Sequence, residues 1–365
     1  MKGKLPDAHL GTRLEEYAYL GLTPGKVAPW EDGVRTTGKR GEFEWWYFDS
    51  KMDDGSSLVV VFFTAPFVSV KKGYQPSVSL HLVRPDGTEI EDELKVDASE
   101  CSFSRDRCYA RIGDSIFEGD LNRYTIRYRT KKVQANVVLE GNVNPWKPAT
   151  GHIFFGRKDY FAWLPSVPEG TVKAAVRTHE TKEQFTGTGY HDHNWGNTAM
   201  FQMMHHWYWG RAKVGDYQMI TCYITAARKY GYEHFPIFML AKGRELIGDN
   251  TDHLTFTQTD AVFDDVTKKH YHKKLIYDYD DGNVHYRITY RMEECLDRQD
   301  MTSDVPAVKT NPAIVTAMHL MKLAPSYNRF GGTVTLERLE GEQVVEEIAA
   351  PAIWELMYFG QDEEV

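Results

Sequence analysis

Five times along the chain, a run of β-branched and aromatic residues stops at a tight-turn signal and a second such run follows. WWYFDSKMDDGSSLVVVFFTAPF turns at Asp53-Asp54-Gly55, HLVRPDGTEIEDELKV at Pro85-Asp86-Gly87, and LIYDYDDGNVHYRITYRM at Asp281-Gly282. FMLAKGREL and GTVTLERLEGEQVVEEI repeat the pattern around Gly243 and Gly341. Glycine supplies the positive φ that short hairpin turns need, so each stretch reads as strand, turn, strand. Strands joined this way pair antiparallel, and the chain is expected to be all-β, built as antiparallel barrels or sandwiches. Helical candidates are few. Residues 3–20 have room for a turn or two, and PAIVTAMHLMKL (312–323) fits either a short helix or a buried strand.

A chain of 365 residues exceeds what one core usually holds, which argues for two domains. The expected break lies in the polar, Gly-punctuated segment 197–206, giving an N-terminal extension (1–36) and domains at 37–200 and 201–365. A net charge of −9 with no basic tract argues against a nucleic-acid partner. Nine Trp and 21 Tyr suit strands, or a site for a large apolar ligand. No apolar run reaches transmembrane length, and the opening residues carry no signal-peptide core. The four cysteines form no C-x-x-C pair, so a reduced, cytoplasmic protein is expected, with a Cys101–Cys108 bridge across a hairpin as the alternative.

GYHDHNWGN (189–197) concentrates the chemistry. If it is extended, Tyr190, Asp192 and Asn194 point one way and His191, His193 and Trp195 the other. Three readings stand. The imidazoles have His-x-His zinc spacing, with His152, His205 or His206 as a third ligand. Alternatively, Asp192 is a hydrogen-bonded acid on a face shared with Tyr190 and Asn194. Or the polar side chains only satisfy their neighbours. In GEFEWWYFDS the same alternation sets Glu44, Trp46 and Phe48 against Trp45, Tyr47 and Asp49. In HHWYWGR, Trp207 and Trp209 share a face opposite Tyr208, as core or as a wall that attracts a cation. No G-x-S-x-G, phosphate loop, dinucleotide fingerprint or H-E-x-x-H is present, which weighs against nucleophilic and hydride chemistry.

EWWYFD, GYHDHNWGN, WYWGRA, SYNRF and AAPAIWELMYFG together resemble the carotenoid 1,2-hydratase (hydroxyneurosporene synthase) family. That group takes in the AttH-like proteins and kievitone hydratase and is similar, more distantly, to fungal Diels–Alderases. The resemblance spans about residues 37–360. It implies two lipocalin-like domains, a hydrophobic substrate (an isoprenoid, prenylated aromatic or polyene), peripheral membrane contact for its uptake, and neither cofactor nor metal. It also implies that Asp192, in its Tyr-x-Asp context with Tyr190, protonates an alkene, assisted by an upstream tryptophan for which Trp163 is the nearest match. His191, His193 and Asn194 would then orient water, and Trp45, Trp46, Tyr47, Glu44, Trp207 and Trp209 would line the substrate site. Cyclisation of a polyene, or simple carriage of an apolar metabolite, are the competing functions.

Such an acid must be neutral. An unperturbed Asp is only about 0.1% protonated at neutral pH, and moving its pKa to about 7 requires roughly 4 kcal/mol of bias against the anion. Burial among aromatics supplies shifts of that order, so Asp192 is expected to be desolvated.

Overall fold

A computed structural model describes residues 7–66, 72–302, 316, 318 and 320–362. Each of the five turn signals joins two antiparallel neighbours. Phe43–Met52 pairs with Ser57–Ala65, Ser77–Val83 with Glu89–Lys95, and Lys269–Asp280 with His285–Asp300. His234–Lys242 pairs with Glu245–Gly248, and Leu323–Glu340 with Gln343–Gly360. Near the N-terminus a single short helix, Leu14–Leu20, ends on Gly21 in the left-handed region. Half of the segment 312–323 lies outside the described residues; Thr316, Met318 and Leu320 are helical, and its last residue, Leu323, opens a long strand. Among the described residues no helix is long and apolar enough to cross a membrane.

The chain divides into two compact units. The first comprises Leu10–Phe154 and Lys158–Met200. Most of a thirteen-stranded sheet lies here, with Phe43–Met52, Lys182–Gly196 and Asp159–Arg177 adjacent in mid-sheet. Phe62 packs edge-on against Phe117 at 5.6 Å although five strands separate theirs in the sheet order, so the sheet curls around its own interior. Trp46, Phe48, Leu58, Val60, Phe62, Tyr124 and Val137, each fully buried, are part of that core.

The second unit runs from Phe201 onward, with Phe155–Arg157 and the described residues before Leu10. Its nine-stranded sheet also curls: Tyr223, near one edge, stacks at 4.0 Å on Phe256 of the opposite edge strand. Both sheets are thus rolled antiparallel layers, the all-β architecture expected from the hairpin pattern. All four cysteines are free thiols, so the alternative Cys101–Cys108 bridge is not formed.

Candidate active site

The motif strand Lys182–Gly196 lies between Phe43–Met52 and Asp159–Arg177. Directly opposed residues share a face of the sheet. Asp192 lies opposite Tyr47, Tyr190 opposite Asp49, and Asn194 between Trp45 and Trp163. His191 lies opposite Phe48, His193 opposite Trp46, and Trp195 opposite Glu44. Phe48 and Trp46 belong to the core, so the two imidazoles point inward and Asp192 points to the other face. The bracketing glycines allow the strands to approach. A Cβ at Gly189 would sit 2.8 Å from Asp49 O, and one at Gly196 would sit 2.5 Å from the Phe43 ring and 2.8 Å from Tyr160 O. On the other side, Pro165 and Pro168 coincide with register shifts between Leu164, Val167 and Gly170, because proline has no N–H to give the ladder.

Asp192 is 7% exposed, and three side chains donate to its carboxylate. Trp163 Nε1 reaches Oδ2 at 2.7 Å, Tyr190 OH reaches the same oxygen at 2.8 Å, and Asn194 Nδ2 reaches Oδ1 at 2.7 Å. Burial pushes the carboxyl up from 3.8 to about 6, although these donors and the neighbouring His191 each favour the anion. Trp146 meets Trp163 edge-on at 5.8 Å, and Tyr47 meets Tyr190 at 6.4 Å, so the acid's hydrogen-bond donors are themselves packed by aromatics.

The inward face carries a second, separate polar network. Glu44 accepts from Arg35 N at 2.6 Å, Thr36 N at 3.1 Å, Thr36 Oγ1 at 2.5 Å and His193 Nε2 at 2.8 Å. His193 Nδ1 lies 3.5 Å from Asp32 Oδ1. Asp32 Oδ2 takes the Tyr124 hydroxyl at 2.5 Å and faces His191 Nε2 at 3.3 Å, while His191 Nδ1 meets the Tyr47 carbonyl at 2.8 Å. Burial would raise the Asp32 carboxyl, but His191, His193 and Tyr124 outweigh it and hold it below its ordinary value. Asp32, Cys108 and His191 each bring one donor atom within 4.8 Å of the others. Hydrogen bonding accounts for that approach, since Asp32 is already engaged by Tyr124, His191 and the Cys108 thiol.

The structure therefore brings together Asp192, Tyr190, Asn194 and Trp163, with Trp45 and Tyr47 on the same face of the neighbouring strand. It does not bring His191, His193, Glu44 or Trp46 to the acid. They lie on the opposite face because odd and even positions of a strand diverge, and Trp46 stacks on His193 at 4.7 Å inside the core. His152 is buried, bonded through Nδ1 to Thr150 O at 2.9 Å and pushed down to about 4 by burial. His205 and His206 belong to the second unit, where their Nδ1 atoms lie 2.8 Å apart. Trp207 and Trp209 lie on the strand Met204–Val214 of that unit, with Tyr208 turned the other way into its core. Sequence reasoning missed Asp32, Thr36 and Tyr124. Asp32 ends a short 3-10 turn, Pro29–Asp32, and nothing in PWED signals a core carboxylate.

Fold and site together define an all-β, lipocalin-like protein with a buried, donor-held acid. A model of the Diels-Alderase-like family matches residues 26–350, and the chain belongs to that family. It is 26% identical over 226 residues to the quinolone epoxide rearrangement protein of Emericella nidulans, a match covering 56% of this chain. The chain spans 60% of that curated relative's length. Among solved structures, CghA superposes with a TM-score of 0.58 at 12% identity, covering 91% of this chain and 95% of CghA. Kievitone hydratase from Nectria haematococca superposes with a TM-score of 0.50 at 12% identity, covering 98% and 99%. At such identities these two likenesses speak for the fold.

Proposed function

We propose that the chain is an enzyme of natural-product metabolism that adds water to a carbon–carbon double bond of a hydrophobic, isoprenoid-type substrate, with Asp192 as proton donor. The observation that supports this reading is the Asp192 carboxyl itself: buried, shifted to about 6, and held by Trp163, Tyr190 and Asn194. At that value roughly a tenth of the groups are protonated at pH 7, about a hundredfold more than for an ordinary Asp.

Oδ2 takes two donors and Oδ1 only one, so Oδ1 carries the transferable proton. Asp192 gives that proton to the less substituted alkene carbon. The π electrons form the new C–H bond and leave a tertiary cation, which the indole and phenol faces on this side of the sheet stabilise. Water captures the cation through oxygen, and the oxonium returns its extra proton to the Asp192 carboxylate. Trp163, Tyr190 and Asn194 stabilise the carboxylate that forms when the proton leaves, which lowers the cost of the first step.

The family's description favours a second reading, cyclisation of a folded polyene. There the polar cluster at Asp192 orients the substrate by hydrogen bonds and transfers no proton. Asp192→Asn separates the two when assayed in D2O with acyclic isoprenoid and prenylated phenol substrates. Hydration predicts a folded variant that loses several orders of magnitude in turnover, and wild-type product with deuterium at the protonated carbon. Wild-type-like turnover in the variant, or product without solvent deuterium, overturns hydration and favours cyclisation.

A further inference from the structure

The inward network is fully buried, has no part in the chemistry above, and lies one residue from the acid. His191 is its centre. Its Nδ1 lies 2.8 Å from the Tyr47 carbonyl oxygen and its Nε2 lies 3.3 Å from Asp32 Oδ2. A carbonyl oxygen and an ionised carboxylate can only accept. A neutral imidazole has one N–H and one lone pair, so in either tautomer a lone pair would face an acceptor. Both nitrogens face acceptors without that conflict only if both carry hydrogen.

We infer that His191 is a doubly protonated imidazolium, clamped by Asp32 on the opposite face of the strand from the Asp192 carboxylate, and acts as a positioning residue for that acid. This inference rests on the reading of Asp192 as proton donor. His191 touches no part of the acid's face. It acts through charge and through the strand it pins, its ring enclosed by Phe117 at 4.6 Å and Tyr124 at 4.5 Å.

The titratable groups around the pair are Asp32, Cys108 and Tyr124 beside His191, and His193 and Glu44 along the inner face. On the outer face they are Tyr190, which donates to Asp192, and Tyr47, which donates to Asp49. Asp32 answers the His191 charge on the inner side, so the pair is neutral as a whole, and His191 is the member whose charge favours the Asp192 anion. That field favours the Asp192 anion and so opposes burial, which keeps the acid from being locked in its neutral form. A donor that must give up a proton and then recover it needs both states within reach.

Two measurements test this without any substrate. The first is 15N NMR of the histidine side chains in the wild-type protein at pH 7.5. Both His191 nitrogens should show directly bonded hydrogen; a ring with a single N–H overturns the inference. The second follows the Asp192 carboxyl by infrared titration, as the difference between matched proteins with Asp192 and with Asp192→Asn. Asp32→Asn should move the midpoint upward by about half a unit to one unit, because His191 loses its counter-charge and its own proton. An unchanged or lowered midpoint overturns the positioning role. Should Asp32→Asn fail to fold, Tyr124→Phe serves in its place. It takes one competing donor from Asp32 and leaves the carboxylate bound more tightly to His191, so both His191 nitrogens should still carry hydrogen at pH 7.5; loss of either hydrogen overturns the clamp. Neither result depends on turnover. If Asp192→Asn remains active the hydratase reading fails, whatever the state of His191.

Discussion

Trp163 Nε1 donates a 2.7 Å hydrogen bond to Asp192 Oδ2 from the adjacent strand, where it lies opposite Asn194, two residues from the acid. A donor of this kind stabilises the anion, so it works against the burial that raises the carboxyl. Trp163→Phe should therefore move the Asp192 midpoint above its present value of about 6, read by infrared or NMR titration. On the acid reading, the variant keeps far more turnover than Asp192→Asn, because a phenyl ring still offers a π face. The alkaline limb of its rate profile should move to higher pH. A midpoint that falls would show that the indole does not act on the anion.

Asp192 also has a signature in stability. Its carboxyl is raised in the folded chain from 3.8 to about 6, so the folded state holds the proton more tightly than the unfolded state. That contribution is fully present below pH 4 and is lost as pH rises through 6. It amounts to about 3 kcal/mol for a shift of roughly two units. Asp192→Asn should remove this term. The stability difference between variant and wild type, from urea unfolding at pH 4 and pH 7, should therefore change by about 2.5 kcal/mol in the variant's favour at the higher pH. A pH-independent difference would contradict the shift.

Glu44 is fully buried and accepts from two backbone N–H groups, a hydroxyl and an imidazole. Glu44→Gln keeps the shape and replaces one acceptor by a donor, which cannot serve all four of the donors that Glu44 now accepts from. The expected loss is about 1–3 kcal/mol, the usual cost of leaving a buried hydrogen-bonding group unsatisfied. Urea midpoints measure it, and a loss below 1 kcal/mol would mean that the network contributes little to the fold.

Gly196 is closed off by the Phe43 ring and by the Tyr160 carbonyl. The ring is able to turn; the backbone oxygen is fixed by strand pairing. Gly196→Ala should destabilise by about 1–3 kcal/mol, as overpacking does in a closed core. Gly282→Ala makes the contrast. Its Cβ meets nothing within 4 Å, and its cost comes from φ +84 alone. Thermal unfolding of the two variants should show clashes with Phe43 and Tyr160 only in the first.

The sequence carried local geometry well. Alternation alone separated Tyr190, Asp192 and Asn194 from His191, His193 and Trp195, because a strand has no freedom in that choice. The Gly-marked turns located hairpins for the same reason. Partners far along the chain were illegible. Asp32 meets His191 across 159 residues, and only the curl of the sheet brings Tyr124 to the same carboxylate. Trp163 was found through family resemblance and could not have come from alternation, since its strand loses register around Pro165 and Pro168. The alternation that sets Glu44 and Trp46 against Trp45 and Tyr47 was written in EWWYF, but which side met the acid depended on strand order, which local pattern does not encode.

From Gly189 to Gly196 every residue of the motif strand is buried, on both faces. Such a segment has no position where variation is free. One face answers to an acid and its donors, the other to a salt-bridged interior, and the ends to glycines that admit no side chain. Any change in the shape of the acid's face falls instead to the half-buried Trp45 and Tyr47 of the adjoining strand, Tyr47 by way of its contact with Tyr190.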